Sequence, residues 1–79
     1  MEASEEKQVL RHIVKGIYNI NTEDYDLFDK MLDSYTNKVY IGKYKTKDRY
    51  IHGEYKGMMV SIEKDGLKEL YSLINHLLN

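Results

Sequence analysis

The chain has no cysteine, no proline and no tryptophan among its 79 residues, and no apolar run long enough to cross a membrane. Without cysteine there are no disulfides and no thiolate metal ligands, which fits a reducing compartment. The N-terminal segment MEASEEKQVL is acidic and lacks the apolar stretch of a secretory signal. We therefore expect a cytoplasmic protein that does not enter a membrane.

Proline, low-complexity tracts and internal repeats are all absent, so nothing in the sequence indicates a linker. We expect residues 1–79 to form a single small globular domain. A chain of this length buries only about 60% of the surface that its unfolded form exposes. Self-association would bury more apolar surface, so a homodimer is one expectation from size alone.

Three stretches carry apolar residues at helical spacing. The first begins after Ser4, the second after Asn21 or Thr22, and the third after Asp65, and all of these are favoured N-cap residues. Their apolar positions are Val9, Leu10, Ile13, Val14 and Ile17, then Leu27, Phe28, Met31, Leu32 and Tyr35, then Leu67, Leu70, Leu73, Ile74, Leu77 and Leu78. The spacing predicts two amphipathic helices before the middle of the chain and one after it.

The middle segment, KVYIGKYKTKDRYIHGEYKGMMVSIE, alternates as strands do. A turn at TKDR would place Lys45 opposite Tyr50, and a two-residue turn at Lys56-Gly57 would place Tyr55 opposite Met58. These turns predict a three-stranded antiparallel meander. The expected fold is therefore α+β with element order ααβββα and the helices packed on one face of the sheet.

This register divides the strand residues between two faces. The face expected in the core holds Tyr40, Gly42, Tyr44, Ile51, Gly53, Tyr55, Met58, Val60 and Ile62. Gly42 and Gly53 are then expected opposite each other, where a helix can approach closely or a slot remains, and helix packing is the favoured reading. The opposite face is expected to expose Val39, Ile41, Tyr50, His52, Glu54 and Met59.

Residues that support catalysis elsewhere are scattered here. The three histidines fall in three different predicted elements, and neither a phosphate-binding loop nor a Gly-x-Ser-x-Gly motif is present. Asp26, Asp29 and Asp33 share one face of the second helix, without the glycine and closing glutamate of a calcium loop. We interpret them as an acidic helix surface in contact with solvent. The sequence predicts no enzyme, no metal site and no cofactor.

Charge is unevenly distributed along a chain whose net charge is −1. Residues 23–33 hold five acidic side chains and one lysine, whereas residues 38–56 hold six lysines and arginines and two acids. Four of these cations surround the predicted TKDR turn, namely Lys43, Lys45, Lys47 and Arg49. Beside Tyr50 they could contact phosphates while the ring stacks on a base. The pI of about 6.3, however, is far below that of a typical nucleic-acid-binding domain.

The C-terminal segment MVSIEKDGLKELYSLINHLL resembles the strand and last helix of small winged-helix proteins from Gram-positive bacteria and their phages. The resemblance covers about the last quarter of the chain and rests on a generic Leu-x-x-Leu pattern. It implies a nucleic-acid-binding transcriptional regulator that uses the cationic hairpin. Only residues 22–35 separate the first helix from the predicted sheet, whereas a winged helix needs two helices and a turn there.

Exposed apolar and aromatic groups rimmed by charge are typical of protein interfaces. The predicted outer sheet face has this character, and its six residues named above are the predicted partner-binding site. The acidic helix surface is a second candidate, suited to a basic partner. The leading hypothesis is a small non-enzymatic protein-binding module, of the inhibitor, immunity or adaptor type found in bacteria and phages. The origin and the type rest on analogy in size and composition.

Overall fold

The structure is a computed structural model that describes residues 3–79. Helix α1 covers Glu5–Tyr18, α2 covers Asp26–Asp33 and α3 covers Lys64–Leu78. The strands are β1, Val39–Ile41, β2, Tyr50–Tyr55, and β3, Met58–Glu63. Two short 3-10 turns, Thr22–Asp24 and Thr36–Lys38, flank α2. The α+β class and the order helix, helix, three strands, helix are confirmed.

Helix α1 starts directly after its predicted N-cap residue, whereas α2 and α3 start at other positions than predicted. Ser4 caps α1 as predicted, because its Oγ accepts a hydrogen bond of 3.2 Å from the backbone N–H of Lys7. Helix α2 starts later than predicted, because the 3-10 turn Thr22–Asp24 occupies the expected first turn. Helix α3 starts directly after β3, with Glu63 at the N-cap position and Asp65 inside the first turn.

The sheet is antiparallel with the order β1-β3-β2, so β3 lies in the centre. The hairpin between β2 and β3 is the predicted one, with Tyr55 opposite Met58. The turn residues Lys56 and Gly57 have φ of 50° and 79°, as a type I′ turn requires. The predicted meander is wrong, because β1 pairs with β3 and not with β2.

The strand β1 crosses to the far side of β3 because the chain leaves the sheet at Gly42. Gly42 has φ of 80°, a conformation that residues with a Cβ rarely adopt. The connection 42–49 contains no helix or strand and passes over the sheet to the start of β2. The lysines predicted to surround a tight turn therefore lie on a longer loop, which we call the β1–β2 loop (residues 42–49).

The changed pairing inverts the two faces for β1 alone. Val39 is opposite Ile62, and Ile41 is opposite Val60, so the aliphatic residues of β1 share a face with those of β3. Val39 is only 4% exposed, and Ile41 packs against the same core cluster. The placement of Val39 and Ile41 on the outer face is therefore wrong. Tyr40, predicted in the core, lies on the outer face instead.

We call the two sheet faces the core face and the outer face. The core face carries Val39, Ile41, Ile51, Gly53, Tyr55, Met58, Val60 and Ile62, and the outer face carries Tyr40, Tyr50, His52, Glu54, Met59, Ser61 and Glu63. The buried core joins β1 and β3 to all three helices through Val9, Leu10, Val14, Leu32, Tyr35, Val39, Val60, Ile62, Leu67, Leu70 and Ile74. Helix α1 contacts β1, and α3 contacts β3. Strand β2 is the least covered of the three.

The apolar stripe of α3 is wider than the part of it that is buried. Leu67, Leu70 and Ile74 are buried, whereas Leu73 and Leu77 are exposed. Within residues 3–79, no helix is long and apolar enough to span a membrane.

Candidate protein-binding site

Strand β2 forms one edge of the sheet, and its outward backbone groups can be assigned from the ladder. The backbone N–H of Lys64 donates to the carbonyl of Arg49, which makes this pair hydrogen-bonded. Hydrogen-bonded and non-bonded pairs alternate in an antiparallel ladder. Ile51, Gly53 and Tyr55 therefore bond to β3.

The remaining β2 residues, Tyr50, His52 and Glu54, direct their backbone N–H and C=O groups away from β3. Among residues 3–79 no strand or loop backbone pairs with these groups. We call them the free edge of β2. The sequence predicted the side chains of these residues as a binding site, and the structure shows that their backbone groups are available for hydrogen bonds as well. A six-residue edge strand without proline or lysine is a template for pairing with another strand.

An apolar groove opens beside this edge on the core face, with a volume of about 250 Å³. Its floor is formed by β2 and β3, and its walls by α1 and α3. The main apolar groups around it are Val9, Ile13, Ile51, Val60, Ile62, Leu67 and Tyr71. Ile51 is 46% exposed although it lies on the core face. An aliphatic side chain left in contact with water beside a groove can be covered at a gain in free energy.

Gly53 forms the open part of the groove floor. A Cβ built at Gly53 would meet no atom within 4 Å, so no helix packs against this glycine. The predicted close approach of a helix is therefore wrong at this position, and the slot is what the structure contains. The signal in the sequence was the glycine itself, inside a strand whose neighbours are large.

At the rim of the groove, His12 packs edge-on against Tyr55, with ring centroids 5.4 Å apart. His12 is a polar side chain that α1 contributes to this rim of the groove. His12 lies on a boundary between apolar and polar surface, as many helical histidines do. Sequence reasoning did not associate it with β2, because nothing in the pattern shows which helix lies beside which strand.

The outer face is partly covered by the β1–β2 loop, which two side chains hold in place. The Ser61 hydroxyl donates to the carbonyl of Lys43 at 2.7 Å and accepts from the N–H of Lys45 at 3.0 Å. His52 Nε2 lies 2.6 Å from the carbonyl of Lys45, so this nitrogen donates. Ser61 is completely buried as a result. The loop is therefore a fixed part of the outer face.

Aromatic rings and cations alternate around the loop. The Tyr44 ring is tilted over His52 with centroids 4.8 Å apart, and Tyr40 meets Tyr50 edge-on at 5.7 Å. The ammonium of Lys45 lies 4.7 Å from the centre of the Tyr40 ring. Tyr44 is 57% exposed. Aromatic rings and cations therefore lie side by side near the N-terminal end of β2.

Of the predicted cations, Lys43, Lys47 and Arg49 are exposed, whereas Lys45 is partly covered by its contact with Tyr40. Met59 lies on the outer face and is 39% exposed. The structure thus places the free-edge residues and Met59 on the outer face, and it holds the loop segment with Lys43 and Lys45 against that face, while Lys47 and Arg49 lie in the last turn before β2. Of the six residues predicted to bind a partner, only Val39 and Ile41 lie elsewhere, because both are on the core face.

The acidic helix surface is largely paired within the chain. Arg11 binds both carboxylate oxygens of Asp29, with distances of 2.9 and 3.0 Å. Lys7 bridges Asp29 at 2.9 Å and Asp33 at 2.8 Å. Hydrogen bonding from Arg11, together with Lys7, lowers the pKa of Asp29 to about 2. Asp26 and Asp33 are exposed as predicted, whereas Asp29 is largely covered, and the pairs of Asp29 and Asp33 with Lys7 and Arg11 connect α1 to α2.

In the same described part of the chain, no group of three or more His, Asp or Glu side chains is placed to hold a metal ion. Comparison of the chain with protein-family models, with curated proteins and with solved structures finds no match. The geometry of the free edge and its groove is therefore the basis for a functional hypothesis.

Proposed function

We propose that this protein is a non-enzymatic protein-binding module that adds an extended segment of a partner protein to the free edge of β2. The observation that supports this most strongly is the apolar groove beside an unpaired edge strand. In strand addition, backbone hydrogen bonds supply affinity and pockets for alternate side chains supply specificity. Both requirements have a counterpart beside β2.

The free edge and the slot determine which side chains the partner segment can place on the core face. Side chains of an added strand alternate between the two faces of the sheet. On the core face they would meet Ile51 and the slot at Gly53, so aliphatic residues fit there. Helices α1 and α3 would form the walls on the core face that shield such a side chain from water.

On the outer face, the partner segment would pass His52 and the β1–β2 loop with Lys43, Lys47 and Arg49. Acidic side chains complement these cations and would speed association at low salt. The expected partner segment therefore alternates aliphatic and acidic residues. By occupying a strand of its partner, the module would act as an inhibitor or an adaptor, like the small inhibitor and immunity proteins of bacteria and phages that it matches in size.

The proposal is tested with a peptide of seven residues that alternates valine and glutamate. Binding is measured by isothermal titration at low protein concentration, and the matched control peptide alternates valine and lysine. We expect the lysine peptide to bind at least about tenfold more weakly, because its lysines would be repelled by the cationic side chains of the β1–β2 loop. A third peptide, N-methylated at alternate residues so that the amides facing β2 are blocked, should not bind.

The matched variants are Glu54→Pro and Glu54→Gln. The N–H of Glu54 points away from β3, so proline removes an edge donor without removing a ladder bond. Glu54→Gln keeps the donor and removes only the charge. We expect Glu54→Pro to lose binding and Glu54→Gln to retain it. Equal binding by the N-methylated and unmethylated peptides would refute strand addition even if Glu54→Pro did not fold.

Nucleic acid is the second candidate, and the aromatic rings beside the cationic loop are the observation that favours it. Tyr44 and Tyr50 could stack bases while Lys43, Lys47 and Arg49 contact phosphates. The only described α-helix between α1 and the sheet is α2, and its three aspartates would be repelled by the phosphates that flank a DNA groove, so it is unsuited to act as a recognition helix. Binding of a single-stranded oligonucleotide with a steep salt dependence, lost on changing Lys47 and Arg49 to glutamate, would put this candidate first.

A further inference from the structure

The free edge of β2 is complementary to itself. Two copies of an antiparallel strand can pair about a two-fold axis at His52, so that each His52 is opposite the other. Tyr50 of each copy is then opposite Glu54 of the other. These are the three residues whose N–H and C=O groups point outward, so every outward group finds a partner in this register. Registers centred on Tyr50 or Glu54 would leave part of the edge unpaired.

The same register places an apolar side chain over a slot. Ile51 of one copy is directly opposite Gly53 of the other, in a non-bonded pair where side chains approach most closely. Ile51 is 46% exposed, and Gly53 has open space where a Cβ would be. Each copy therefore offers one exposed isoleucine and one vacant position, and the two-fold axis brings each isoleucine to the other's vacancy.

Charge is also complementary in this arrangement. Glu54 is the only acidic residue of β2. It would lie opposite Tyr50 of the second copy, next to the cationic β1–β2 loop of that copy, which holds Lys47 and Arg49. Helix α1 touches β2 through the contact of His12 with Tyr55, whereas Ile51, Gly53 and Glu54 of β2 are exposed and can be reached by a second copy.

We propose that a second copy of this chain occupies the free edge of β2 when no other partner is bound, giving a two-fold antiparallel dimer with a six-stranded sheet. This inference rests on the proposed function, since it uses the same edge and slot. The interface is narrow, and narrow interfaces are weak and concentration-dependent. The dimer therefore covers the docking edge until a partner strand competes for it.

The test uses sedimentation velocity over a wide range of concentration with three proteins. The wild type is compared with Gly53→Asp and with the exchange variant Ile51→Gly, Gly53→Ile. A Cβ at Gly53 meets no atom of its own chain within 4 Å, and the position is exposed, so the fold should remain. In the dimer the carboxylate would be buried against Ile51 of the second copy without a partner, which is costly. The exchange variant again places one isoleucine opposite one glycine.

We expect the wild type and the exchange variant to dimerise and Gly53→Asp to remain monomeric. A Gly53→Asp protein that dimerises like the wild type would overturn the register, and so would an exchange variant that stays monomeric although folded. A wild type that is monomeric at every concentration would overturn the dimer. In that case peptide binding at the same edge, measured separately, shows whether the proposed function survives.

Discussion

Replacing Asp29 by asparagine tests how the two N-terminal helices are held together. Asp29 accepts two hydrogen bonds from Arg11 and a third contact from Lys7, and its side chain is only 19% exposed. Its pKa is lowered from 3.8 to about 2, mainly by the hydrogen bonds from Arg11. A carboxylate whose pKa is lowered in the folded state stabilises that state when it is ionised.

The magnitude follows from the change in pKa between the unfolded and folded states. A lowering of the pKa from 3.8 to about 2 corresponds to between about 2 and 3 kcal/mol, because each unit is worth about 1.4 kcal/mol. The sign is fixed by linkage: the contribution is complete well above pH 3.8 and is lost as the pH falls through 3.8 towards 2. About 1 kcal/mol should already be lost at pH 3.

The assay is urea unfolding of the wild type and of Asp29→Asn at pH 6, 3 and 2. The free energy of unfolding of the variant should be lower by about 2 kcal/mol at pH 6 and nearly equal to that of the wild type at pH 2. Asp26→Asn is the control, because that exposed aspartate has no partner among the salt bridges of the described residues. A difference between wild type and Asp29→Asn that did not change with pH would refute the reasoning.

Three further predictions concern the sheet and are checked by urea unfolding. Ser61→Ala should cost about 1–2 kcal/mol, because it leaves the two loop groups that Ser61 binds without a partner, whereas Thr46→Ala removes an exposed hydroxyl of the same loop and serves as the control. Val39→Ala should cost about 2 kcal/mol and Met59→Ala less than about 1 kcal/mol, because only Val39 is in the core. Equal costs for the two variants would contradict the β1–β3 register. Gly57→Ala should cost about 1 kcal/mol, because its φ of 79° strains any residue with a Cβ, and an unchanged stability would contradict the type I′ turn.

The hairpin of β2 and β3 was predictable from the sequence because its turn is local. An X-Gly pair between two alternating segments fixes the register, and the faces of β2 and β3 follow from it. The position of β1 was not fixed by a local signal. Its pairing depends on a long connection and on Gly42, whose φ of 80° could not be read from the sequence. The aliphatic pair Val39 and Ile41 was the available hint, since it matches Val60 and Ile62.

The candidate site was predictable only in part for the same reason. Tyr50, His52, Glu54 and Met59 are on the outer face because the β2–β3 register is local. The groove depends on which helices lie beside β2, and a periodic pattern does not contain that information. The ion pairs of Asp29 and Asp33 were not predicted, because their cationic partners are on another helix. Lys7 and Arg11 are four residues apart, and this spacing shows only that they share one helix face.

The most direct test of the central claim is residue-resolved amide hydrogen exchange of the dilute protein, with and without the valine–glutamate peptide. The amides of Ile51, Gly53 and Tyr55 bond to β3 and should be protected throughout. Those of Tyr50, His52 and Glu54 should exchange rapidly in the free protein and slowly when the peptide is bound. If these three amides are protected in the dilute free protein, or do not change when the peptide binds, the edge of β2 is not the docking site.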